Sequence, residues 1–209
     1  VATSAMADQL SISQYQQVTA TLPWLVADKK AIFAKHDLKI DKIIAGAGGG
    51  STLRNMLASD LPYGEVAMSA ALAAIRANID LVIVNGENAS HGFGLTPDMA
   101  EALFKAGTDV ITLGNHSWDR KEIIPYIADH PRLVRPLNFP DGTPGGGSVV
   151  VDVPGGRKAL VVQALGQLYM DPILACPFHA TRDVLARHRL GGTVNAVVLD
   201  IHAEASSEK

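Results

Sequence analysis

Short apolar runs that stop on polar clusters set the rhythm of this chain. Leu81-Val82-Ile83-Val84 leads into Asn85-Gly86-Glu87-Asn88, and Val110-Ile111-Thr112-Leu113 leads into Gly114-Asn115-His116. Near the end of the chain, Val194 to Leu199 leads into Asp200-Ile201-His202. Four consecutive apolar residues fit a strand buried on both faces, as parallel strands are. Between the first two runs, Thr96, Pro97 and Asp98 offer a cap, a first-turn proline and an early acid, and Gly107 offers a stop. A helix is therefore expected over 96–106. Strand, helix, strand places the polar residues on one rim, because ligands of open α/β sheets sit outside the carboxyl ends of the strands.

Elsewhere the pattern predicts strands over 11–19, 40–44, 63–68, 148–153 and 159–162. The last two are joined by Pro154-Gly155-Gly156, a hairpin signal. Helices are expected over 22–36 with Pro23 in the first turn, 53–58, 69–77, 117–129 with a bend near Pro125, and 177–188. Pro136 to Gly147 reads as a loop lying over the rim. The glycines before Ser51 and Thr52 would suit an anion at a helix start. No Gly-Lys-Ser/Thr follows them, and spacing alone favours an ordinary cap. The fold class is α/β.

Composition narrows the function classes. The 209 residues carry 47% hydrophobic and 19% charged side chains and a net charge of −3, so neither a nucleic-acid duplex nor an anionic membrane is an expected partner. No apolar run is long enough to span a bilayer. The single cysteine, Cys176, excludes an internal disulfide and reads as a packed thiol. Ala5-Met6-Ala7 has the small-x-small pattern that ends a signal peptide, with a plain polar terminus an equal reading.

The three strand ends supply Glu87 with Asn88, Asn115 with His116, and Asp200 with His202. Carboxylate, amide oxygen and imidazole together suit divalent manganese, iron or zinc. Two metals sharing a carboxylate can activate water and clamp a phosphoryl group. A histidine outside the coordination shell can protonate the leaving oxygen. His91, His130, His179 and His188 read as surface or loop histidines without a role.

From about Ile79 to Lys209 the chain resembles the YmdB-like branch of the calcineurin-like metallophosphoesterases. The resemblance is carried by "VIVNGENASHGFGLTP", "AGTDVITLGNHSWDRKEI", "PRLVRPLNFPDGTPG", "MDPILACPF" and "LDIHAEASSEK". It implies an α/β sandwich around a dinuclear site, with hydrolysis of small phosphodiesters such as 2′,3′-cyclic nucleotides. By position, Glu87 corresponds to a bridging metal ligand, Asn88 to a ligand of the first metal, and Asn115 and His202 to ligands of the second. His116 corresponds to the general acid. The resemblance also implies iron or manganese, a cytoplasmic setting, and compatibility with a homo-oligomer. The family's opening aspartate loop does not stand before Leu81, and its Gly-x-His-x-His element does not follow His202. An incomplete sandwich is therefore expected, binding one metal or none, with low or absent activity.

A second resemblance covers roughly Ile12 to Ala77. "TLPWLVADKKAIFAKHDLKID" and "GGGSTLRNMLASDLPYGEVAMSAALAAIRA" are similar to the first lobe of a nitrate, sulfonate or taurine-type substrate-binding protein. This resemblance implies a non-enzymatic periplasmic module serving an ABC transporter permease. Thr21, Ser51, Thr52 and Ser69 would then line an anion pocket. Two domains are expected, 1–78 and 79–209, with a seam between Arg76 and Leu81. Across it, Glu65 to Ser69 is expected to pair beside Leu81 to Val84.

Overall fold

A thinning of contacts between Ala77 and Asn78 divides the chain into two units. The computed structural model describes residues 8–15, 18–36, 38–46, 55, 63–64, 79–170 and 174–208.

In the N-terminal unit, β1 (Asp8–Tyr15) runs through α1 (Val18–Lys29) into β2 (Leu38–Gly46). The strands pair in parallel from Asp8↔Leu38 to Tyr15↔Gly46, with a register shift between Leu10 and Ser11. Parallel neighbours need a crossover, and α1 supplies it. A two-residue strand, β3 (Tyr63–Gly64), adds to the other side of β1. The strand expected over 11–19 thus lies earlier, and Val18 and Thr19 already belong to the helix. That helix begins before Leu22, so Pro23 sits inside it rather than in its first turn. It also stops before His36: Ala31 takes a φ of 52°, outside helical geometry, and a 3-10 turn (Phe33–His36) follows. Apart from a helical Asn55, the helices expected over 53–58 and 69–77 lie outside the described residues, as does the proposed pairing of Glu65 to Ser69. The described start of that strand, Tyr63–Gly64, pairs with β1.

The C-terminal unit begins with β4 (Ile83–Asn85), α2 (Pro97–Lys105), β5 (Val110–Thr112), α3 (Ile123–Ala128) and β6 (Leu133–Val134). They form a parallel sheet in the order β4-β5-β6. A second sheet follows from β7 (Ser148–Val153), β8 (Arg157–Leu165) and β9 (Ala196–His202), with α4 (Pro177–Arg187) before β9. Here β7 and β8 are antiparallel and β8 and β9 parallel. Thr96 caps α2 by accepting from the Met99 amide at 3.3 Å, and Gly107 leaves the helix at φ 103°. Gly155 and Gly156, at φ 81° and 70°, turn the hairpin.

Strand β8 explains why the unit is layered. Every residue from Ala159 to Leu165 is buried. Val161 packs with Val110 and Val134 of the first sheet, while Leu160 and Val162 pack with Val184 of α4 and with Val194. The second sheet is therefore covered on one side by the first sheet and on the other by a helix. Each such aliphatic side chain contributes about 1.5–3 kcal/mol of burial.

Three expectations change. The helix expected over 117–129 is confined to Ile123–Ala128, preceded by turns, so Pro125 falls in its first turn, where a missing N–H loses no bond. Val82 and Val84 are buried but Leu81 and Ile83 only half so, because successive side chains point to opposite faces and the two faces are not equally covered. Strand β9 is not a buried strand either, with Leu199 43% exposed. The loop over 136–147 is anchored by Arg135, which donates to the carbonyls of Pro136, Thr143 and Pro144.

Candidate metal centre

The register Asn85↔Thr112 aligns β4 and β5, so the residues just past them leave the sheet at the same end. Strand β9 is tied to that end by side chains. The Asp200 carboxylate accepts from the Thr112 hydroxyl at 2.5 Å and from the Asn85 amide at 3.0 Å. Asn85 in turn donates to the Leu113 carbonyl and accepts from the Glu87 amide. Asp200, grouped above with metal-capable residues, is thus committed to joining the two sheets.

Glu87 is the centre of the arrangement and is 3% exposed. Its Oε2 lies 2.7 Å from His202 Nδ1, and its Oε1 accepts from the His116 backbone amide at 3.4 Å. Gly114 makes room for it. A Cβ at Gly114 would stand 2.2 Å from Glu87 Cδ, nearer than any side chain tolerates. The turn beyond is closed by Ser117, whose hydroxyl donates to the Gly114 carbonyl at 2.5 Å. The hydrogen bond to Glu87 raises the His202 pKa above its ordinary value. Burial opposes the rise, and Glu204 at 3.4 Å from Nε2 supports it.

Asn115 and His116 form a second, shallower chain. Asp119 Oδ2 lies 2.8 Å from His116 Nδ1. A carboxylate accepts, so Nδ1 donates, and Nε2 of the neutral ring is left to accept from Asn115 Nδ2 at 3.4 Å. That contact turns Asn115 Oδ1 the other way, where it is buried with no hydrogen-bond partner. A buried acceptor left unsatisfied costs about 1–3 kcal/mol. Such a cost is removed by a cation, and Oδ1, the Glu87 carboxylate and the His202 imidazole are donors that a divalent metal accepts. The residues fit the metal that the motifs imply.

Not every expected residue joins. Asn88 stands exposed after Glu87, its carbonyl accepting from Gly92 at 3.1 Å. Among the described residues no group of three or more His, Cys, Asp and Glu side chains is placed to hold a metal. Thr21 lies in α1 of the other unit, and Ser51, Thr52 and Ser69 lie outside the described residues. Sequence reasoning missed Asp119 and the fixing role of Asn85. Asp119 carried a signal, since it falls three residues after His116 within one turn.

A sequence model described as YmdB-like protein matches residues 63–209. The match begins at Tyr63, ahead of Ile79, so it claims part of the segment that resembled a substrate-binding protein. A 2′,3′-cyclic-nucleotide 2′-phosphodiesterase of Bacillus subtilis (strain 168) is 44% identical over 127 residues, covering 61% of this chain and 47% of that protein. The chain spans about half the length of the curated relatives it matches. Among solved structures, a hypothetical protein from Thermus thermophilus superimposes with a TM-score of 0.59 at 40% identity, covering 76% of this chain and 55% of that one. A structure described as a novel phosphatase, from Mycoplasma pneumoniae, does so at 0.57 and 30% identity, covering 78% and 53%. The α/β sheets, the strand-end cluster and these matches agree, and the chain belongs to the YmdB-like protein family.

Proposed function

We propose that this chain provides the Glu87, Asn115 and His202 side of a metal-dependent phosphodiesterase that opens 2′,3′-cyclic nucleotides. The observation that carries this reading is the buried Glu87–His202 pair, to which the His116 amide ties the turn that bears Asn115 and its buried, unpartnered Oδ1. The cyclic-nucleotide substrate is taken from the Bacillus relative's name. Glu87, Asn115 and His202 would hold one metal, iron or manganese; if two ions bind, Glu87 would be the shared ligand and the exposed Asn88, outside this cluster, a ligand of the other. The metal supplies positive charge that polarises a phosphoryl oxygen and makes water more acidic. Asp119 accepts from His116 Nδ1 and steadies the imidazolium form, in which Nε2 is protonated and gives up its contact with the Asn115 amide nitrogen. As water adds to phosphorus, losing one proton to solvent, the P–O2′ bond breaks and the His116 imidazolium gives its Nε2 proton to the departing ribose oxygen, after which the ring is reprotonated from solvent. Cytoplasmic residence goes with this reading, and no helix among the described residues is long and apolar enough to cross a membrane.

The test is turnover of adenosine 2′,3′-cyclic phosphate by the manganese-loaded protein. His116→Ala is expected to lower kcat by about 10²–10⁴-fold while leaving metal content intact. Undiminished turnover in that variant would remove His116 from the mechanism.

A second reading attaches to the N-terminal unit alone, whose β1-α1-β2 crossover is the repeat from which solute-binding lobes are built. On that reading Thr21, Ser51, Thr52 and Ser69 contact nitrate, taurine or an alkylsulfonate. Calorimetry with those anions decides it, because binding that survives substitution of Ser51 and Thr52 contradicts the assignment.

A further inference from the structure

We infer that Phe93 is the platform on which the nucleobase of the substrate stacks, so that this site reads the presence of a base and not its identity. The inference rests on the phosphodiesterase reading above.

Phe93 is 55% exposed, and its ring meets the His116 ring edge-on, with centroids 5.2 Å apart and planes at 86°. A phenyl ring left in water at that position forgoes the burial that usually decides where such rings go. Yet the ring is not on a free loop. Arg120 donates through Nε to the Phe93 carbonyl at 3.2 Å and through Nη2 to the Ser90 carbonyl at 3.1 Å. Within the loop, Ser90 N bonds to Gly94 O, Phe93 N to Ser90 O, and Gly92 N to Asn88 O. Gly94, at φ 70°, brings the loop against the turn that carries His116. A Cβ there would lie 3.1 Å from the His116 carbonyl oxygen. The chain therefore fixes an exposed aromatic ring beside the group that protonates the leaving ribose oxygen.

In a 2′,3′-cyclic nucleotide the base is attached to the carbon next to the one bearing O2′. A base must then lie within a few ångströms of whatever protonates O2′, which is where the Phe93 ring stands. Stacking tolerates any base, because every base has a π-face. Both hydrogen-bonding arms of Arg120 that touch this loop are taken by backbone carbonyls.

The experiment compares two substrates, adenosine 2′,3′-cyclic phosphate and methyl riboside 2′,3′-cyclic phosphate, which lacks the base. Loss of one base–aromatic stack corresponds to about 5- to 150-fold in affinity. Phe93→Ala is expected to raise KM for the cyclic nucleotide about tenfold more than for the methyl riboside, with kcat falling far less than KM rises. Phe93→Trp restores the lost KM, and cyclic phosphates of adenosine, guanosine and cytidine stay within about tenfold of one another in the wild type. Equal losses on the two substrates would show that Phe93 only supports His116 and would overturn the inference, as would no loss on either. Wild-type protein inert toward both substrates would overturn the proposed function, and the Phe93 assignment with it. Turnover of the methyl riboside as efficient as that of the nucleotide would overturn the Phe93 assignment alone.

Discussion

Of the acid–histidine contacts at this end of the C-terminal unit, the two shortest differ in depth and in origin. His202 and Glu87 are 115 positions apart in the chain and meet at 2.7 Å, with the side chain of the acid only 4% exposed. His116 and Asp119 are three positions apart and meet at 2.8 Å with the acid 40% exposed. The first contact exists only because two sheets are locked together by Asp200, Thr112 and Asn85. The second needs no more than one turn of chain. A buried carboxylate demands compensation by charge or hydrogen bonds. A half-exposed one is hydrated already, and can orient a ring at little cost. On the proposed function the deep pair would hold the cation, and the shallow pair would orient the ring that exchanges protons with solvent and substrate.

Substitutions that separate the pairs sharpen this contrast. The largest effect is expected from Glu87→Gln, which keeps the shape and removes the buried charge. Metal affinity should fall by more than the ~10–100-fold that loss of an outer-shell partner costs. Equilibrium dialysis against manganese reads this directly. Gly114→Ala comes next, since its methyl would enter the space of the Glu87 carboxyl group. Overpacking of this kind costs about 1–3 kcal/mol, seen as a lower urea midpoint, and metal affinity should drop with it. A third effect is in pH. The His202 pKa is raised from 6.5, chiefly by its hydrogen bond to Glu87. The stability from this pair in the metal-free protein is fully present below the unfolded value and is lost as pH rises through the higher folded one. Metal must displace that proton, so affinity should climb with pH over the same window. The smallest effect belongs to Asp119→Asn. It should lower kcat on the order of tenfold, a part of the ~10²–10⁴-fold that a general acid contributes, with metal content unchanged. Metal loss in that variant would dissolve the distinction between the pairs.

Legibility in the sequence followed the same division. Thr96 with Pro97, the Pro154-Gly155-Gly156 turn, and the polar stops after Val84 and Leu113 are local signals, and they appear in the structure where the pattern put them. Glu87, Asn115 and His116 could be read as a rim because they directly follow two strands, β4 and β5. The role of Asp200 could not be read, because its two donors come from distant strands and nothing local distinguishes a linking carboxylate from a ligand. The exposure of Leu199 was hidden for a related reason: an apolar run states an inclination to be buried, and its neighbours decide the outcome. In the N-terminal unit Pro23 pointed to a helix start, yet α1 begins at Val18 and accommodates the proline inside it. A proline excludes an amide donor, but does not by itself choose which end of the helix it occupies.

Manganese titration of the metal-free protein, with the bound ion followed by its paramagnetic resonance signal, tests the central assignment most directly. Binding is expected to require Glu87, Asn115 and His202 individually, to weaken as pH falls, and to be indifferent to Asp119→Asn. Equal manganese binding by wild type and by Glu87→Gln would contradict that assignment.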